Sequence, residues 1–188
     1  MTLAPTPGQT VGPFFGYALP FDGDSELVPP GTPGAIRLHG QVLDGAGQPV
    51  PDALIELWQV NADGVVSREP GSLRRDGFTF TGWGRASTDN TGRYTFTTVA
   101  PGASVPGAAP FFAVTVFARG LLNRLFTRAY VPCSQLADDR LLNSLPPQRR
   151  QTLIASREAA GLRFDIKLQA GPQADDETVF LSYPGHRL

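Results

Sequence analysis

Residues 108–119 (AAPFFAVTVFAR) run eleven positions without a charge before Arg119 closes them. Phe111, Ala113, Thr115 and Phe117 alternate with Phe112, Val114 and Val116, so at period two both faces are largely apolar. A run apolar on both faces and rich in β-branched and aromatic residues reads as a strand buried on both sides; a helix is the alternative. The Pro106-Gly107-Ala108 punctuation before it favours the strand. A central strand demands neighbours, so the rest of the chain must supply a sheet and a layer to cover it.

The neighbours are legible. Alternation at Ala35–Leu43 gives a strand with one wet face that carries His39, and residues 53–60 (ALIELWQV) give a second, apolar on most of both faces. Asp44-Gly45-Ala46-Gly47 is turn chemistry between them. Residues 65–83 read as a long loop, and 88–92 as a turn between a strand over 84–87 and another at Arg93–Val99. Further strands are expected over 124–131, 162–168 and 178–181. The only helical signals lie in 134–160, with Pro146-Pro147 as a start and Gly161 as a stop. With 21 Gly and 18 Pro in 188 residues and no repeat, the pattern is that of many short elements joined by turns, an all-β sandwich with long loops and one or two short helices.

Two segments are expected: an N-terminal arm, 1–34, and a sandwich domain, 35–188. The arm carries Val11, Phe14, Phe15, Tyr17, Leu19 and Phe21, more aromatic content than disordered tails carry, so it should dock on a surface of its own domain or of a partner. A net charge of −1 offers no footprint for nucleic acid or an anionic membrane. One cysteine, Cys133, excludes an intrachain disulfide and fits a reducing compartment. Without a signal-peptide pattern or an apolar run of transmembrane length, the chain reads as cytoplasmic.

The inventory of reactive groups is thin. His39 and His186 stand far apart and read as surface residues; Asp138-Asp139 and Asp175-Asp176-Glu177 lack calcium-loop spacing and read as solvated faces. There is no Gly-x-Ser-x-Gly elbow and no phosphate-cradling loop, and Cys133 reads as a packed thiol. Arg149-Arg150 reads as a solvated helix face. Arg128, between Phe126 and Tyr130 on a strand, reads as a structural salt bridge, with bidentate capture of a ligand carboxylate as the other possibility. The residues alone therefore indicate a binding or assembly role.

Several blocks in order resemble the intradiol ring-cleavage dioxygenases: Asp44-Gly45-Ala46-Gly47-Gln48-Pro49 with residues 53–59, then Gly84-Arg85, Thr88-Asp89, Gly92, Tyr94, Phe96 and Pro101-Gly102, then Arg163-Phe164-Asp165-Ile166. The family holds a non-haem Fe(III) with two tyrosines and two histidines, a donor set suited to a ferric ion. The resemblance places those ligands at Val66, Ser104, Phe111 and Ala113, none of which is Tyr or His, and neither residue type occurs in 65–78 or 102–119. Some members pair two homologous subunits, a β subunit with the iron and an α subunit whose metal site has degenerated. Gln9-Thr10-Val11-Gly12-Pro13-Phe14, Phe117-Ala118-Arg119-Gly120 and Thr127-Arg128-Ala129-Tyr130 resemble the α type.

The resemblance implies that this chain binds no cofactor, that Fe(III) sits in a partner β subunit of an α/β hetero-oligomer, and that the substrate is 3,4-dihydroxybenzoate. It further implies that Thr10, Gly12, Pro13 and Arg128 wall the substrate pocket, while apolar side chains fill the vestigial metal site. The competing readings are a stand-alone transthyretin-like binding module, which shares the first turn and strand, and an enzyme acting alone.

Overall fold

The computed structural model describes residues 12, 14–69, 75–159, 161–172 and 175–183. Two sheets face each other. The first has β4 (Arg93–Val99), β1 (Ala35–Leu43), β8 (Gly161–Arg163) and β7 (Ser156–Glu158) in that order, with β9 (Ile166–Lys167) also on β1. The second runs β3 (Trp83–Ser87), β2 (Leu54–Trp58), β5 (Phe111–Phe117), β6 (Leu125–Tyr130), every pair antiparallel. The sandwich and the central place of Phe111–Phe117 are as expected.

Phe112, Val114 and Val116 turn inward at 2% exposure or less and meet Leu38, Val42, Ile55, Leu57, Tyr94 and Phe96 between the sheets. Burying an aliphatic or aromatic side chain contributes about 1.5–3 kcal/mol, so this layer dominates stability. Close approach across the first sheet depends on Gly40. A Cβ there would stand 1.9 Å from the Phe164 carbonyl oxygen, a group that also accepts from the buried Tyr94 hydroxyl.

Three expected elements differ. The helix expected from Pro146-Pro147 towards Gly161 is α3, Pro147–Gln151, and stops there. Tyr130 N donates to Leu153 O and Ala155 N to Tyr130 O, so tertiary pairing with the end of β6 pulls 153–155 into an extended path that continues into β7. The strand expected over 162–168 is split at Phe164-Asp165 into β8 and β9. Residues 178–181 form no ladder, although Thr178 N donates to Lys167 O and Leu181 N to Phe126 O. Two further short helices, α1 (Phe15–Ala18) and α2 (Arg140–Asn143), and a 3-10 turn at Ser134–Asp138 complete the fold. A second apolar cluster, Ala109, Tyr130, Leu142, Leu153 and Val179, lies where these helical turns cover one end of the second sheet.

Residues 21–28 are tied to the domain they precede. Leu27 is 3% exposed, its N–H donates to Thr97 O, and Phe21 stacks on Trp83 at 6.2 Å. Arg75 donates to the carbonyls of Gly23, Asp24 and Trp83, and Arg85 donates to Leu19 O. Phe14 and Tyr17, by contrast, are 75% and 87% exposed.

Candidate functional site

Cross-strand register decides which side chains share the outer face of the second sheet. Trp83 lies opposite Trp58, Trp58 opposite Ala113, and Ala113 opposite Arg128; one step along, Phe111 lies opposite Tyr130. Ala113 therefore contributes only a methyl group between the exposed Trp58 and the guanidinium of Arg128. At one edge of this face Arg85 and Glu56 form a largely buried pair at 2.6 Å.

The Arg128 guanidinium carbon lies 4.0 Å from the centre of the Phe111 ring, and its Nη1 donates to the Tyr130 hydroxyl at 3.1 Å. Tyr130, fully buried, donates its own hydroxyl hydrogen bond to Asp139 Oδ1 at 3.2 Å. Asp139, 7% exposed, also caps α2 by accepting from Leu142 N at 3.0 Å. Arg128 Nε is buried without a hydrogen-bond partner, and among the described residues no carboxylate comes within ion-pair distance of Arg128. Among the described residues the structural salt bridge expected at Arg128 is not formed, and the guanidinium stacks on a ring instead. Burial opposes its charge, but the hydroxyls of Tyr130 and Tyr183 beside it prevail and raise its pKa above the usual guanidinium value. Arg128 lines an open depression of about 550 Å³ with Gly107, Asp138, Asp139, Arg140 and Ser144, so two arginines and two aspartates share its walls. A fixed guanidinium with an unused Nε–H and no direct carboxylate partner among the described residues can take a small anionic ligand at such a mouth.

The residues at the family's metal positions do not fit a ferric ion. Val66 is 64% exposed and lines a separate depression of about 350 Å³ with Val65 and Phe80; Phe111 lies under the guanidinium of Arg128, and Ala113 offers no donor. An Fe(III) at Phe111 would face a fixed positive charge and lack an imidazole. Among the described residues no group of three or more His, Cys, Asp or Glu side chains is arranged to hold a metal. The apolar filling expected at these positions takes another form, since Val66 is solvent-exposed and a cation covers Phe111.

Of the other sequence candidates, Gly12 has φ +77°, a conformation that favours glycine, and Thr10 and Pro13 lie outside the described residues, as does His186. His39 is only 18% exposed and faces Glu158 at 3.5 Å, more enclosed than the surface residue expected. Arg149 is not a solvated helix residue: it donates to Glu177 O and pairs with Asp175 at 2.9 Å, strapping the C-terminal segment to α3. Sequence reasoning missed Asp139. An aspartate just before Arg140-Leu141-Leu142 is an N-cap signal, and reading it would have taken this residue out of the solvated acidic pair.

Residues 11–109 match the family described as Dioxygenase. The chain is 39% identical to the protocatechuate 3,4-dioxygenase alpha chain of Burkholderia cepacia, over 95% of this chain and 98% of that one. With the alpha chain of Pseudomonas putida the identity is 38%, over 96% and 98%. The beta chain of B. cepacia is 34% identical over 71% of this chain and 64% of its own length. Among solved structures, the dioxygenase domain of a dioxygenase–carbohydrate-binding fusion from Streptomyces sp. SirexAA-E superposes with a TM-score of 0.59 at 27% identity, covering 89% of this chain and all of that domain. Near-full-length identity to two alpha chains, together with the sandwich and its ordered motifs, places this chain in the intradiol ring-cleavage dioxygenase family, where it belongs with the protocatechuate 3,4-dioxygenase alpha chains.

Proposed function

We propose that this chain works as the α subunit of a cytoplasmic α/β hetero-oligomer whose homologous β subunit carries Fe(III), and that the pair cleaves 3,4-dihydroxybenzoate with O₂. Both oxygen atoms enter the product as the bond between the hydroxyl-bearing carbons breaks, giving 3-carboxy-cis,cis-muconate. The ferric ion of the β subunit supplies the oxygen chemistry. This chain supplies charge and shape: Arg128 orients the substrate carboxylate, while Thr10, Gly12 and Pro13 wall the pocket and exclude water. The exposed Phe14 and Tyr17 of the arm face the partner.

The observation that carries this reading is the guanidinium of Arg128, uncompensated by any described carboxylate, at the mouth of the depression. Losing a hydrogen bond between charged groups costs about 1.5–3 kcal/mol, roughly a tenfold to hundredfold effect. In the purified α/β complex, Arg128→Ala should raise KM for 3,4-dihydroxybenzoate by at least about tenfold and leave catechol, which lacks the carboxylate, little changed. An unchanged ratio of the two KM values refutes the assignment. The isolated chain should be colourless and iron-free, and a stoichiometric ferric chromophore in it overturns the division of labour.

A further inference from the structure

We infer that Phe111, standing where the resemblance places a metal-binding histidine, is a positioning residue whose ring, with the hydroxyl of Tyr130, holds Arg128 in one orientation before substrate arrives. The inference rests on the reading of Arg128 above and extends it from the arginine to the residues that aim it. In these terms the lost metal ligand has been put to use: the side chain that cannot bind iron forms the platform for the cation that meets the substrate.

The geometry supports each part. Arg128 faces Ala113 in register, so Phe111 is its diagonal neighbour, a separation that a long side chain spans. The guanidinium carbon stands 4.0 Å from the ring centre, well inside cation–π range, and the small Ala113 lets it lean across. The ring is itself held, tilted 49° against Tyr130 at 5.5 Å and packed on the cluster of Ala109, Leu142 and Leu153. Tyr130 is fixed in turn by Asp139, which is fixed by its cap on α2. Tyr183, whose ring meets Phe126 edge-on at 5.3 Å, also favours the charged form of Arg128.

A free arginine side chain has many rotamers to lose on binding. Here no described carboxylate fixes Arg128, which would spend its charge; a π-face and one phenolic oxygen fix it and leave the charge available. An aromatic face with hydroxyl acceptors is thus the choice that orients a guanidinium without neutralising it.

The test is a double-mutant cycle in the α/β complex. Phe111→Leu keeps apolar volume and removes the π-face; Tyr130→Phe keeps the ring and removes the hydroxyl, and serves if the first variant fails to fold. Each should raise KM for 3,4-dihydroxybenzoate about threefold to tenfold, with kcat and the catechol constants unchanged. In an Arg128→Ala background neither should add any further effect, because both act through the arginine. Equal losses on both substrates, or losses that persist without Arg128, mark a merely structural role and overturn the inference. If Arg128→Ala shifts selectivity while Phe111→Leu and Tyr130→Phe do not, this inference alone fails; if Arg128→Ala shifts nothing, the underlying assignment fails with it.

Discussion

Replacing Arg75 by alanine should free the second half of the N-terminal arm. Its guanidinium donates to Gly23 O, Asp24 O and Trp83 O and to Thr81 Oγ1, with the Trp83 bond shortest at 2.8 Å, and lies 5.9 Å from the Phe21 ring centre and 5.7 Å from that of Trp83. Burial lowers its pKa from a very high starting value, so the group stays charged at neutral pH. Gly23 and Asp24 carbonyls can turn to water once the arm loosens, whereas the carbonyl of Trp83 and the hydroxyl of Thr81, both on residues 9% exposed, keep only the long 3.4 Å bonds between these two residues. One strong charged hydrogen bond and two modest cation–π contacts sum to about 3 kcal/mol, out of the 5–15 kcal/mol usual for a domain. At this chain length that is a fall in Tm of about 6–12 °C.

Urea unfolding measures the total, and hydrogen exchange locates it. The amides of Leu27 and Thr97, which bond Thr97 O and Ser25 O, should lose protection before those of β2 and β5. Arg75→Lys keeps the charge without the fork and should recover less than half of the loss. A change under about 0.5 kcal/mol with unaltered exchange at Leu27 would refute the view that Arg75 pins the arm.

Gly40→Ala should cost about 3 kcal/mol or more, because the new methyl meets backbone at Phe164 and separates β1 from the segment after β8; Gly16→Ala, in α1 with nothing within 4 Å of the added carbon, should stay within about 0.5 kcal/mol of the parent in the same denaturation assay. Burial raises the phenol pKa of Tyr94 far above its ordinary value of about 10, and that of Tyr130 is raised too. Below pH 10 both states keep these protons and the full contribution is present; above it the unfolded chain ionises while the folded chain does not, so stability falls as pH rises. Tyr94→Phe should make that alkaline decline shallower in urea titrations from pH 9 to about 11, and an unchanged slope would exclude Tyr94 as a source.

How legible the chain was depended on the range of the interactions that fix each part. Ala35–Leu43 and Arg93–Val99 have the bounds read from alternation because neighbouring residues already carry the two-residue period and its turns. Residues 153–158 were misread because their helical propensity is overridden by Tyr130, which is 23 positions or more away in sequence and bonds both Leu153 and Ala155. Asp139 and Arg149 looked solvated for the same reason: their partners, Tyr130 and the segment at 175–177, are adjacent only once the helical turns fold over the sheet.

The sequence by itself determined the strand at Phe111–Phe117, the two-layer architecture it requires, the family, and the absence of Tyr and His from the stretches where the resemblance places the family's ligands, since each is a matter of residue type and local order. Only the tertiary structure decided what stands in the ligands' place. Arg128 and Phe111 are 17 positions apart, and no local pattern announces that register on β5 and β6 sets a guanidinium on that ring, with the Tyr130 hydroxyl beside it and Asp139 behind that hydroxyl. Packing turned an isolated arginine from an expected salt bridge into a cation held by a ring and a hydroxyl, with no carboxylate among the described residues within ion-pair distance.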